Sequence, residues 1–140
     1  MVKRILFICK HNRFRSKIAE AFFNKLNKNK NYAAESAGLI KGELSRNKNL
    51  EAAASDFGLK IEINPRTLSV DLLEESYNII IVADDIPISL FKTQDYIKKG
   101  IAKKIIKWEV PDVSNKSKMK FEKSIRIIKE KVKEFIKTLK

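Results

Sequence analysis

Short, continuous apolar runs alternate along this chain with segments whose apolar residues recur every three or four positions, and that alternation restricts the fold more than any other feature. Arg4 to Cys9 and Tyr77 to Ala83 present no polar face after their first residues, as expected of strands buried on both sides. Asn31 to Ala37, ending at Gly38, and Lys103 to Trp108 read as two further strands. Between them, Arg15 to Leu26 places Ile18, Ala21, Phe22 and Leu26 on one side of a helix. Arg46 to Phe57 reads as a second helix stopped by Gly58. Ile86 to Lys99 reads as a third, with Pro87 in its first turn and Gly100 after its end. Lys118 to Leu139 carries Phe121, Ile125, Ile128, Val132 and Phe135 at helical spacing and closes the chain. Strand followed by helix, repeated, predicts an α/β fold in which a parallel sheet is covered on both faces.

A chain of 140 residues, 44% of them hydrophobic, supplies one well-buried core, so a single domain spanning residues 1–140 is expected. The apolar run Ile5 to Cys9 is too short for a signal peptide, and no stretch approaches the roughly 18 apolar residues of a membrane span. A cytoplasmic protein without membrane association is the expectation. One cysteine excludes an intrachain disulfide, and one cysteine with one histidine cannot close a zinc site. No metal or cofactor is expected. Net charge is +13, but Lys98 to Lys140 alone carry +10 of it. The simplest reading is a solvated lysine face on the closing helix, with nucleic-acid binding unlikely as the main function.

The chemistry concentrates in Cys9-Lys10-His11-Asn12-Arg13-Phe14-Arg15-Ser16, between the first strand and the first helix, where an open α/β sheet presents its ligand crevice. Cysteine, five residues, arginine and serine let the loop curl until successive backbone N–H groups converge, with the positive end of the helix aimed at the same point. A tetrahedral dianion fits there. Beside those dipoles the Cys9 thiolate is favoured over the thiol and becomes a nucleophile. The planar fork of Arg15 matches two phosphoryl oxygens, and Ser16 can donate to the sulfur. Asn12 tolerates left-handed backbone angles. Lys10, His11, Arg13 and Phe14 complete the loop around the phosphoryl group. Arg13 is either a solvated charge or a mouth residue that attracts an anionic substrate. His11 and Cys9, two residues apart on a tight loop, diverge too far for a thiol-protease dyad. Away from this context a lone cysteine near a buried strand is usually an inert core residue.

These residues resemble the low-molecular-weight protein tyrosine phosphatase family and the related thioredoxin-coupled arsenate reductases. The likeness is carried by Ile5-Leu6-Phe7-Ile8-Cys9, by Cys-x-His-Asn-x-x-Arg-Ser and by Ile18-Ala19-Glu20-Ala21. Glu35-Ser36-Ala37-Gly38, the Ile79 to Asp84 strand end and Trp108-Glu109-Val110-Pro111-Asp112 extend it over nearly the whole chain. The resemblance implies a three-layer α/β/α domain with a four-stranded parallel sheet in order 2-1-3-4. It also implies hydrolysis of phosphate monoesters, with protein phosphotyrosine as the expected substrate, through a phosphocysteine on Cys9. Asp112 takes the position of the general acid and base, and Asn12, Ser16 and Ser36 that of a polar network supporting the loop. Asp84 and Asp85 also end a strand, but Asp84 matches a position better read as structural. Trp108 either lines the site or caps the core.

The chain departs from the family pattern in places. Asp112 is followed by Val113 rather than proline, Phe14 stands where the phosphatases commonly have a second cysteine, and the Ile63 to Arg66 region lacks the family's histidine. With one cysteine, an intramolecular thiol relay to arsenate is unavailable. Arsenate reduction with an external thiol is the alternative enzymatic reading, and a non-catalytic module binding phosphate or nucleic acid is the alternative of another class. The expected partner is a phosphorylated protein or a small phosphate monoester, arsenate being possible, and the expected state is a monomer or weak dimer.

Overall fold

The computed structural model describes residues 1–113 and 117–140. Strand β1 (Lys3–Cys9) lies inside the sheet, between β2 (Tyr32–Gly38) and β3 (Asn78–Val82), and β4 (Ile105–Trp108) pairs with the far side of β3. Every pairing is parallel and the order is β2-β1-β3-β4, as the resemblance implied. The register aligns Cys9 with Gly38, Ile8 with Ile81, and Val82 with Trp108, which brings the strand ends together at one edge. The site is built there.

Successive strand residues point to opposite faces, so a run that is apolar throughout needs cover on both. Ile5, Phe7, Ile80 and Val82 pack against helices α1 (Arg15–Leu26), α2 (Lys48–Asp56) and α5 (Lys118–Lys137). Leu6, Ile8, Ile79 and Ile81 pack on the other face with Leu73, Phe91 and Ile101. These come from α3 (Val70–Glu75) and from two 3-10 turns, Ile88–Phe91 and Ile101–Lys104, on either side of α4 (Gln94–Lys98). In α1, Ile18, Phe22 and Phe23 are fully or almost fully buried. At about 1.5–3 kcal/mol for each large apolar side chain buried, they fix the helix that carries Arg15 and Ser16.

Two expectations change. Ile86 to Lys99 is not one helix: Phe91 drops into the core, and the Thr93 hydroxyl accepts a hydrogen bond from the Tyr96 amide and starts α4 afresh. Pro87 precedes the 3-10 turn in an extended conformation rather than lying in a helical turn. Helix α3 was not anticipated. Its six residues are too few to show a period, although Ser69 caps it by accepting from the Leu72 amide and Asp71 stands in its first turn. No helix among the described residues is long and apolar enough to cross a membrane.

Candidate active site

Helices α2, α3, α4 and α5 begin with Asn47, Ser69, Thr93 and Ser117, and each side chain accepts a hydrogen bond from the first turn. Helix α1 begins after Phe14 with no such cap and no acidic residue in its first turn. No side chain caps its first N–H groups, an arrangement that suits an anion. The preceding loop is held on the sheet edge as an extension of the strand pairing, since Leu39 N–H donates to the Cys9 carbonyl at 3.0 Å and Ile40 N–H to the Lys10 carbonyl at 2.9 Å. Gly38 permits this approach. A Cβ there would lie 2.7 Å from the His11 carbonyl carbon and 2.8 Å from the Asn12 nitrogen.

Asn12 is the one non-glycine residue with positive φ among the described residues, at 54°. Its side chain holds that conformation from three sides. Nδ2 donates to Ser16 Oγ at 2.8 Å and to Ser36 Oγ at 2.9 Å, while Oδ1 accepts from the Arg66 amide at 2.8 Å. Ser36 in turn donates to Glu20. Ser16 Oγ lies 2.9 Å from the Cys9 sulfur, so the network ends on the nucleophile candidate. Asn12→Ala keeps the left-handed backbone but removes every bond that secures it, and is expected to lower stability by about 2–4 kcal/mol. Chemical denaturation checks this, and a midpoint unchanged from the parent protein would show that the network does not hold the loop.

Arg15 is the first residue of α1 and almost completely buried. Its Nη1 donates to the Val110 carbonyl at 2.9 Å and lies 3.2 Å from Asp85 and 3.7 Å from Asp84, and its Nη2 reaches Asp85 at 3.5 Å. Both aspartates at the end of β3 therefore serve the guanidinium. Cys9, Lys10, His11, Arg13, Phe14 and Arg15 line one cavity of about 110 Å³. Asn12 and Ser16 lie behind it with their side chains in the network. Asp112 lines the same cavity, is exposed, and accepts from the Val113 amide through Oδ1. Leu50, Ile61, Ile63 and Val113 supply an aliphatic wall. Trp108 belongs instead to the core, with its ring 5.8 Å from Phe7 and 6.3 Å from Phe135.

With a cysteine, a clamped arginine and an aspartate on one cavity above an uncapped helix, the site can hold and attack a tetrahedral oxyanion. The sequence profile of a family described as "Low molecular weight phosphotyrosine protein phosphatase" matches residues 4–140. The chain belongs to this family. Its members are cysteine-dependent phosphatases. Among solved structures, an arsenate reductase from Archaeoglobus fulgidus is 26% identical, with a TM-score of 0.71 over 95% of this chain and 98% of that one. A low-molecular-weight protein tyrosine phosphatase from T. tengcongensis is 22% identical, with a TM-score of 0.79 over 98% and 99%. The YwlE arginine phosphatase of Geobacillus stearothermophilus is 15% identical, with a TM-score of 0.77 over 96% and 91%. The last two likenesses, at so low an identity, speak for the fold alone. No curated protein sequence matches the chain.

Several supports of this phosphatase loop escaped the sequence reading. Glu20 could have been found, because Ser16 and Glu20 stand four apart and share a helix side. The Val110 carbonyl and the Arg66 amide leave no local mark, and Asp85, visible at a strand end, gave no sign that it pairs with Arg15. Lys17 is a further surprise: it is buried, and its ammonium donates to the Asn64 carbonyl at 2.7 Å. Burial pulls its pKa below the usual lysine value, against the opposing pull of Glu20 and Glu62. Through that bond and the Asn12 contact with Arg66, residues 64–66 are strapped against the loop.

Proposed function

We propose that the chain hydrolyses phosphate monoesters, with protein phosphotyrosine as its substrate class, through a phosphocysteine on Cys9. The observation that carries this reading is that Cys9, Arg15 and Asp112 line one cavity, beside the start of α1, which no side chain caps. The Cys9 thiolate attacks phosphorus, forming the S–P bond as the ester P–O bond breaks, and Asp112 gives its proton to the departing oxygen. Arg15 and the loop amides follow the charge on the phosphoryl oxygens. Water then attacks the phosphocysteine, Asp112 takes the water's proton, and the S–P bond breaks to release phosphate and the thiolate. Ser16, 2.9 Å from the sulfur, eases that departure by donating a hydrogen bond to it.

Turnover of para-nitrophenyl phosphate by the parent chain tests the reading, and its absence would remove it. Asp112 is favoured over Asp84 and Asp85 as the acid because it lines the cavity while they bind the guanidinium. Asp112→Asn is expected to slow a phosphotyrosyl substrate about 10²-fold or more, and para-nitrophenyl phosphate much less, since nitrophenolate needs little help in leaving. Equal slowing of both would point to a structural defect instead. A second reading, arsenate reduction, draws on the likeness to the Archaeoglobus fulgidus protein and requires an external thiol, the chain having one cysteine. Thiol oxidation dependent on arsenate, without ester turnover, would establish it in place of the first.

A further inference from the structure

Arg13 lines the wall of the Cys9 cavity and is half-buried there, yet it makes no ion pair among the described residues. A guanidinium that gives up part of its hydration is ordinarily compensated by a carboxylate. Three carboxylates line the same cavity, and each already has its donors. Glu51 takes Arg46 through both oxygens, at 2.6 and 3.3 Å. Glu62 accepts from the amide and the side chain of Asn64, and Asp112 accepts from the Val113 amide. The Arg13 guanidinium instead donates to the Ser45 hydroxyl, a neutral partner that uses one N–H and leaves most of the five-donor fork for another acceptor. The Ser45 bond also holds a long side chain in place, so less freedom is lost when an anion arrives.

We infer that Arg13 forms a subsite for a second anionic group, so that the enzyme prefers phosphate monoesters whose leaving group carries a carboxylate or further phosphate and disfavours those carrying a cation. The inference rests on the reading that the Cys9 cavity takes the phosphoryl group. Lys10, a further cation, lines the same cavity and reinforces the preference.

Two matched pairs of esters test it. The first is 4-carboxyphenyl phosphate against its uncharged isostere 4-carbamoylphenyl phosphate, and the second is a phosphotyrosyl peptide flanked by glutamates against the same peptide with glutamines. For the parent chain, kcat/KM is expected to favour the anionic member of at least one pair by about tenfold, mainly through KM. In Arg13→Met, with a melting temperature near that of the parent, that ratio is expected to fall to within about twofold of unity. A preference confined to the small esters places the recognised anion next to the ester, and one confined to the peptides places it on flanking residues. No preference in either pair, or a preference that survives in Arg13→Met, overturns the subsite. The same pairs titrated calorimetrically into Cys9→Ser protein report the preference without turnover. A chain that binds selectively but hydrolyses nothing would keep the subsite and refute the phosphatase reading.

Discussion

Cys9→Ser is expected to abolish turnover, lowering kcat for para-nitrophenyl phosphate roughly 10⁴-fold or more, while phosphate still binds within a few-fold of its original affinity. The serine hydroxyl stays protonated at neutral pH and cannot replace a thiolate as nucleophile. The anion cradle, by contrast, does not depend on the sulfur. Its amides are placed by the Leu39 and Ile40 backbone bonds and by the Asn12 network, and Arg15 is held by Val110 and Asp85. Only the 2.9 Å contact between Ser16 and the sulfur is altered. Rate and phosphate affinity therefore need to be measured on the same preparation. Loss of both would mean that the loop has collapsed, and a near-parental rate would remove Cys9 from the chemistry.

The division between what the sequence revealed and what it hid follows the range of the interactions. β1 and β3 were legible because a strand buried on two faces shows it within five or six residues, as Ile79-Ile80-Ile81-Val82 does. The phosphatase loop was legible for a similar reason, since nucleophile, arginine and helix start lie within eight residues of chain, and Asn12 is a residue type that accepts the left-handed φ found there. Local signals failed where a tertiary contact decided the outcome. The break before α4 follows from burial of Phe91, which outweighs a run otherwise acceptable as one helix. The partners of Arg15 lie 70 and 95 positions away, and one of them is a backbone carbonyl, to which any residue type could contribute. Arg13 shows the same limit: the sequence left it between a solvated charge and a mouth residue, and its position on the cavity wall with a tie to Ser45, 32 positions on, decides between them only in the fold.

Arg15→Lys preserves the charge and tests the geometry, and it is expected to lower kcat by about 10²–10³-fold with a smaller change in KM. The guanidinium plane is oriented from behind by a carbonyl and a carboxylate, with Nη1 shared between Val110 and Asp85 and Nη2 reaching Asp85 at 3.5 Å. Fixed in that way, the fork can present its remaining N–H groups to two phosphoryl oxygens and keep both bonds as the phosphoryl group flattens toward the transition state. An ammonium group is a single point with three donors. If it stays with Asp84 and Asp85 it turns away from the phosphate, and if it turns to the phosphate it leaves two carboxylates without the cation that neutralises them. Either arrangement binds a ground-state dianion tolerably through charge alone, which is why the loss is expected in kcat more than in KM. Steady-state kinetics on the parent and Arg15→Lys proteins at one pH decide the matter. Equal kcat in the two would show that the arginine at this buried position is needed for its charge and not for its shape.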